Sequence, residues 1–352
     1  MPRGIKGYIR DFILKLAVIS GFNTIYGYFN RKKIVILWYH GVCGDDFTLL
    51  KDYDERYIPV SVFAKQLKYL KNKGCHFLNM TEVAAILNCN RQIPNRAVCL
   101  TFDDGFENVV KIAYPLMQRY EAKGCFYIIP SLVGTKELLW TDLVDVVLWW
   151  NNKSHFTFKF GEKNINYRTT SRRETITAII DIKKKLRSVS NEERLRLLKQ
   201  FQQIDLKGVP KEFSISNWGQ VKDLDQHVLE IGSHSLTHPN LDRLNTEEAQ
   251  REISLSKNLI EEKLQRSVNH FSYPAGVFNA NIKSMVRKAG YRTGVTIITG
   301  LNDVWTDIFA LKRLGVTSNM TRFKTAITGF DDALHRVYRL FRILQAEKRR
   351  LP

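Results

Sequence analysis

Beyond residue 34 the chain alternates between short apolar runs and stretches whose apolar positions recur every three or four residues. "IVILWYH" (34–40), "AVCLTFDDG" (97–105), "CFYIIP" (125–130), "VLEIGSHS" (228–235), "VNHFSYPAG" (268–276) and "YRTGVTI" (291–297) read as strands running into loops. Helical periodicity lies between them, in "SVFAKQLKYLKNKG" (61–74, closed by Gly74), "TEVAAILN" (81–88), "ENVVKIAYPLMQRYEAKG" (107–124), "TEEAQREISLSKNLIEEKLQ" (246–265) and "NIKSMVRKAG" (281–290). Strands alternating with helices predict βα units, and so an α/β parallel sheet or barrel. The rhythm breaks between 136 and 217. There "LLWTDLVDVVLWW" and "ETITAIIDIKKKLRSVSNEERLRLLKQFQQ" read as helices around a polar, basic piece. We take this as an insertion in one barrel, not a second domain.

Both ends carry basic amphipathic patterns. In "YIRDFILKLAVISGF" and the residues before it, Ile5, Tyr8, Ile9, Phe12, Ile13 and Leu16 repeat at helical spacing, with Lys6, Arg10 and Lys15 among them. In "DDALHRVYRLFRILQAEKRRLP", Leu334, Val337, Tyr338, Phe341 and Leu344 share a face, while Arg336, Arg339, Arg342 and Lys348 to Arg350 supply charge. The expected division is a terminal helix over 1–33, a barrel over 34–325 carrying the insertion 136–217, and a second terminal helix over 326–352.

Composition sharpens this picture at two points. The 352 residues carry a net charge of +19, which calls for an anionic partner. The basic residues are spread through helices rather than gathered with stacking aromatics on one sheet, which argues against nucleic acid and for an anionic membrane surface. Five cysteines, odd in number and never spaced C-x-x-C, suit buried thiols in a reducing compartment. No run approaches the roughly 20 apolar residues of a membrane span. The charged N-terminal stretch lacks the small-residue cleavage site of a signal peptide. The expectation is a cytoplasmic protein, peripheral at the inner face of the membrane.

The candidate chemistry begins at "LTFDDGF" (100–106), where an apolar run ends in two adjacent aspartates. An Asp-Gly turn explains Gly105 but not two like charges where a strand leaves the core, which need a compensating cation or donors. The second half lies in "EIGSHSLTHPNL" (230–241). His234 and His238 are four apart, and on a helical turn both imidazoles would face one side. Two histidines and a carboxylate suit a catalytic divalent metal with positions left open for water and substrate.

"TFDDG", "SHSLTHPNL" and "FSYPAG", in that order, resemble the polysaccharide deacetylase (NodB-homology) family of carbohydrate esterases, over about residues 34–320. The resemblance implies a distorted (β/α) barrel with its site at the strand C-termini. It implies Asp103 as general base, and Asp104, His234 and His238 as metal ligands. Zn²⁺ suits that ligand set best, with Ni²⁺ and Co²⁺ also able to bind. Such a metal would polarise an amide carbonyl and acidify water while Asp103 takes the proton. The backbone N–H of Ala275, in "YPAG", would help hold the oxyanion, and Tyr273 would stand on the same substrate side.

Two departures from the family pattern stand out. An arginine often found two residues before the proline of the third motif is Ser272 here. Arg313, in "FALKRLGV", is either its substitute, orienting the base, or an ordinary surface cation. The general acid is expected at His40, because Tyr39-His40-Gly41-Val42 resembles the Tyr-His-x-Val of permuted family members. His335, inside an amphipathic helix, lacks the strand context of the usual acid. Asp307 would bind Arg313 or a substrate hydroxyl. Trp140 packs in the core or lines the sugar site. His76, His155, His227 and His270 read as structural or surface residues.

The function implied is metal-dependent hydrolysis of an N-acyl group, foremost acetyl, from an amino sugar in a surface glycan or a lipid-linked precursor. A formyl group would use the same machinery. A non-catalytic carbohydrate- or lipid-binding barrel should have lost one of Asp103, Asp104, His234 or His238, and all four are present.

Overall fold

The computed structural model describes residues 5–50, 53–89, 91–150, 154–201 and 209–337. Its apolar runs pair side by side in parallel. β1 (Val35–Tyr39) leads into β2 (Gly41–Cys43), which pairs outside the main sheet with β3 (Tyr57–Pro59). β4 (His76–Phe77) and β5 (Ala97–Phe102) follow, then β6 (Gly124–Ile128). β7 (His155–Phe160) and β8 (Lys163–Arg168) form a separate antiparallel hairpin. β9 (Leu229–Ser233), β10 (His270–Ser272), β11 (Thr293–Val295) and β12 (Leu314–Gly315) complete the sheet, in the order β11-β10-β9-β6-β5-β1-β12 with β4 beside β5. Leu311 bridges to Val295 of β11, and Leu314 pairs with Leu37 of β1. The segment between them therefore closes the sheet into the distorted (β/α) barrel that the pattern implied.

Burial on both faces explains the near-continuous apolar strands. All six residues of β5 and all five of β6 are buried. Alternate positions divide between two clusters. Val35, Leu37, Val98, Leu100 and Phe126 join the large layer under the helices. Ile34, Ile36, Cys99, Cys125, Tyr127, Val295 and Leu311 form a second cluster with Met80, Val83 and Ile86 of the helix after β4, which fill the barrel interior. Continued upward, this inward parity reaches Trp38, His40, Asp103, His234, Ser272 and Arg313.

β6 also shows how tightly the sheet is built. A Cβ on Gly124 would sit 2.1 Å from the Leu100 carbonyl oxygen of the neighbouring strand. Gly124→Ala should destabilise the protein by about 3 kcal/mol, read as a lower urea midpoint, because neither backbone can move without breaking the pairing.

α3 (Val60–Asn72), α4 (Met80–Asn88) and α5 (Tyr114–Tyr120) fall where the periodicity placed them. The insertion holds α6 (Trp140–Trp150), α7 (Arg172–Ser188) and α8 (Asn191–Leu198), followed by the short α9 (Trp218–Lys222). α10 (Thr246–Leu264), α11 (Ala280–Lys288) and α12 (Met320–Ile327) complete the set after residue 240. The polar piece of the insertion, unassigned from sequence, is the β7–β8 hairpin. Phe156, Phe158 and Phe160 alternate along β7, Gly161 turns at φ 61°, and Phe158 packs on Phe201. A buried ionic cluster ties the insertion to the β2–β3 connection. Arg56 pairs with Asp54, Asp142 and Asp145, while Lys183 reaches Asp145 at 2.6 Å.

The N-terminal region is two helices rather than one. α1 (Ile5–Ile19) and α2 (Phe22–Phe29) meet at 83° where Gly21 takes φ 76°. At the other end, Tyr338, Phe341 and Leu344, with Arg339, Arg342 and Lys348 to Arg350, lie outside the described residues.

Candidate metal centre and active site

Asp103 is the first residue past β5, and its N–H donates to the Tyr39 carbonyl at 3.1 Å. It continues the inward parity of Cys99 and Thr101. Asp104 would point outward if the strand ran on, but it adopts φ 75°, left-handed and uncommon for a side-chain-bearing residue. That turn brings both carboxylates to the barrel mouth, where Asp103 is 2 % and Asp104 3 % exposed.

His234 follows β9, its N–H bonded to the Ile128 carbonyl at 2.8 Å. The route to His238 is a loop, not the helical turn that four-residue spacing suggested. Ser235 (φ 63°) and His238 (φ 59°) are left-handed, and the Ser235 hydroxyl accepts from the His238 N–H at 3.1 Å. The two rings still converge, with centroids 4.8 Å apart. Nε2 of His234 lies 3.5 Å and Nε2 of His238 3.7 Å from Oδ1 of Asp104. These gaps are too long for hydrogen bonds. They match the roughly 3.3–3.5 Å between ligand atoms that share one tetrahedral ion at about 2.1 Å.

The chemistry of the donors fits a cation as well. His234 Nδ1 lies 2.8 Å from the Ser272 carbonyl, to which only a protonated Nδ1 can donate, so the Nε2 lone pair is left for a metal. Burial lowers the pKa of both imidazoles, and at His238 the neighbouring His234 adds to it. Burial first, and the charge of Asp103 second, raise Asp104 well above the carboxylate range. Asp104, His234 and His238 thus form a buried set whose ligand atoms all lie within 4.8 Å of one another, short of one positive charge.

Asp103 has its own counterion. Arg313, just before β12, is 1 % exposed and grips the carboxylate with both arms, Nη1 to Oδ1 at 2.9 Å and Nη2 to Oδ2 at 2.8 Å. Thr296 O, Thr101 Oγ1 and Ser272 Oγ hold the guanidinium in place, and the Trp38 ring lies 5.0 Å from its central carbon. Burial works to raise the Asp103 pKa, but Arg313 and then His234 overcome it and hold the carboxylate well below its usual range. Two adjacent carboxylates therefore carry opposite assignments: Asp103 is paired and ionised, whereas Asp104 waits for a cation.

Residues 90–294 match the family model described as polysaccharide deacetylase. The chain belongs to the polysaccharide deacetylase family. These are enzymes that hydrolyse the amide of N-acetylated sugars. YxkH of Bacillus subtilis is 22 % identical over 289 residues, 82 % of this chain and 73 % of that protein. The poly-beta-1,6-N-acetyl-D-glucosamine N-deacetylase of Staphylococcus aureus is 28 % identical over 98 residues, 28 % of this chain and 33 % of the relative. The fold is shared with Streptococcus pyogenes deacetylase PplD, solved in complex with acetate, at TM-score 0.56 and 19 % identity over 82 % of this chain and 94 % of that one. It is shared equally with IcaB from Ammonifex degensii, at TM-score 0.55 and 18 % identity, covering 84 % and 97 %.

Within this deacetylase the structure sorts the remaining candidates. His40 stands at the mouth, Nε2 3.9 Å from Oδ2 of Asp104, whereas the two histidines approach Oδ1. Burial pulls its pKa to about 4, although Asp103 opposes the shift. Ala275 lines the cleft in a left-handed turn at φ 53°. Tyr273 does not present its hydroxyl, which donates to the Phe309 carbonyl at 2.9 Å while the ring stacks on Phe278. Asp307 does not meet Arg313. It pairs with Lys283 at 2.6 Å on the surface, and its other oxygen accepts from the Phe309 N–H. Trp140 does reach the cleft, 9 % exposed, with the Arg187 guanidinium 5.7 Å from its ring. His335 is exposed, and His270 is buried among Thr81, Thr293 and Glu230, so neither enters the site.

Three features were not read from the motifs: the bond from Ser272, noted only as a departure, to Asp103; Trp38 under Arg313 and His40; and a wall of Ile180, Lys183 and Arg187 from α7. Strand parity could have found the first two. No local pattern marks the third, because the insertion's helices reach the cleft through tertiary packing. The cleft holds about 350 Å³.

Proposed function

We propose that this deacetylase uses one divalent metal, with zinc the best match, to remove the N-acetyl group of an amino sugar in a surface glycan or in a lipid-linked precursor of one. The convergence of Asp104, His234 and His238 beside an Asp103 already locked to Arg313 carries the reading. A divalent cation held there supplies Lewis acidity to the acetyl carbonyl and lowers the pKa of water. Asp103, kept ionised, accepts a proton from the attacking water as its oxygen bonds to the carbonyl carbon. The Ala275 turn supplies a backbone donor toward the developing oxyanion. When the carbon–nitrogen bond breaks, the amine leaves with a proton from His40, giving acetate and a free amine. Burial keeps resting His40 neutral, so on this reading the proton that Asp103 takes from water passes to His40 and from there to the amine, while the other water proton leaves with the acetic acid and is lost to solvent. The open cleft, walled by Trp140 and α7, has room for a sugar ring.

Elemental analysis of the purified protein, with acetate release from N-acetylated glucosamine oligomers before and after chelation, tests this. About one ion per chain, with activity lost on chelation and restored by Zn²⁺, Co²⁺ or Ni²⁺, is the expected result. Full activity in metal-free protein would overturn the metal assignment. Formate rather than acetate from a formylated sugar would redirect the acyl group.

A further inference from the structure

α1 and α2 are attached to the barrel the wrong way round for soluble helices. Several of their polar residues face the protein, while Lys15 and Thr24 stay exposed. Arg10 forks onto Asp331, Asp11 pairs with Arg322 at 2.7 Å, Asn23 donates to the Lys324 carbonyl and Asn30 to that of Thr328. Leu14 and Ala17 anchor α1 on the barrel, but most of the large apolar residues face out. Phe12, Leu16, Ile19, Phe22, Ile25 and Phe29 are each 49–77 % exposed. Of the 17 large apolar side chains exposed among the described residues, nine fall between Tyr8 and Phe29. Soluble surfaces rarely gather such a patch without something to cover it.

The chemistry beside the patch says what covers it. Beneath α2 lies a small cavity of about 70 Å³ whose lining includes Arg31, Lys33, Lys73 and Arg96 around Tyr69, and no carboxylate. None of these four cations forms an ion pair among the described residues. Nη1 of Arg31 is buried without a hydrogen-bond partner, and its guanidinium sits 3.6 Å from the Tyr28 ring centroid. Lys324 adds a further cation, 5.2 Å from the Tyr69 ring. An apolar face bordered by unpaired cations complements the surface of a bilayer containing anionic phospholipid, acyl chains under the face and phosphates at the cations. A second copy of the chain is a poor alternative, since pairing would set two such cationic rims of a +19 protein against each other. Neither helix spans a bilayer. α1, with 15 residues, is about 22 Å long and α2 shorter still, against a hydrocarbon core of about 30 Å.

We propose that α1 and α2 lie in the interface of an anionic phospholipid membrane, with the Arg31–Lys33–Lys73–Arg96 cavity receiving a lipid phosphate. The cavity is lined by Val35 and Val98, near the starts of β1 and β5, whereas the metal centre sits at the strand ends. Docking therefore turns the catalytic cleft away from the bilayer. Glycan extending from the surface can reach it more readily than a sugar at the lipid headgroup. The surface stands on its own observations, whatever acyl group the site removes.

Co-sedimentation of the full chain with vesicles tests this, using phosphatidylcholine alone and phosphatidylcholine mixed with phosphatidylglycerol, at about 0.1 M and about 1 M salt. Wild type should bind the mixed vesicles at least about tenfold more strongly than the neutral ones, and lose that preference at high salt. The exposed-face variant F12S/F22S/F29S should lose binding to both vesicles by about tenfold or more with an unchanged Tm. K33E/K73E should lose only the preference for anionic lipid. Equal binding by wild type and the phenylalanine variant would overturn the proposal. So would a wild-type dimer that this variant converts to monomer with no vesicle binding, which would assign the face to a second copy.

Discussion

Asp103→Asn should lower kcat/KM for acetate release by at least about 10²-fold, and by up to about 10⁴-fold, while the protein still takes up its metal. The substitution is isosteric, so the three metal-facing atoms of Asp104, His234 and His238 keep their places and only the proton acceptor is lost. Metal uptake should even survive to lower pH than in wild type. Burial is the main reason Asp104 holds its proton, but the charge of Asp103 is the next, and the variant removes it. Metal must displace that proton to bind, so a less basic Asp104 binds better in acid. The variant has a stability cost too. Arg313 forks onto both carboxylate oxygens. An amide offers it one acceptor and confronts its second arm with an N–H₂ donor. A fall in Tm with metal stoichiometry intact and activity lost would fit Asp103 as the base. Activity within about threefold of wild type would exclude it, since proton transfer contributes far more than that.

The elements that could be read in advance are those whose signal is local. β1, β5, β6 and β9 are continuous apolar runs because both faces are buried, and the helices between them show a clear period. The carboxylate pair and the two histidines were visible because each directly follows such a run. What failed was whatever depends on distant contacts. Four-residue spacing suggested a helical turn from His234 to His238, but two left-handed residues bring the rings together instead, and spacing carries no sign of φ. Tyr273 sits in a recognisable motif, yet its hydroxyl belongs to Phe309, a partner 36 positions away. Asp307 shares a stretch with Arg313, but only Arg313 has the inward parity of Leu311. β12 is two residues long, too short for periodicity to reveal which way its neighbours point. The terminal amphipathicity was real, but nothing in the spacing told which face meets the barrel. Ion pairs to Asp331 and Arg322 decided that, from more than 300 residues away.

Arg313→Gln should cost about 3–5 kcal/mol of stability at neutral pH, because it leaves the buried Asp103 charge without its partner. The sign of the pH dependence follows from the direction of the shift. The folded-state pKa of Asp103 lies below its unfolded value of about 3.9, so the pair's contribution is fully present above that pH and is lost as pH falls toward the depressed folded value. Urea midpoints of wild type and variant should therefore differ most at neutral pH and converge in acid. Activity should move as well. Without the guanidinium, burial pushes Asp103 upward against less positive charge, so the acid limb of kcat/KM in the metal-loaded enzyme should shift to higher pH. Arg313→Lys separates charge from geometry. It keeps the cation but not the planar fork, so it should recover part of the stability and return the acid limb part of the way. A surface cation would predict none of this. An unchanged urea midpoint and an unmoved pH profile in Arg313→Gln would mean that Asp103 is held ionised by the metal alone, and that the two carboxylates share one counterion rather than having one each.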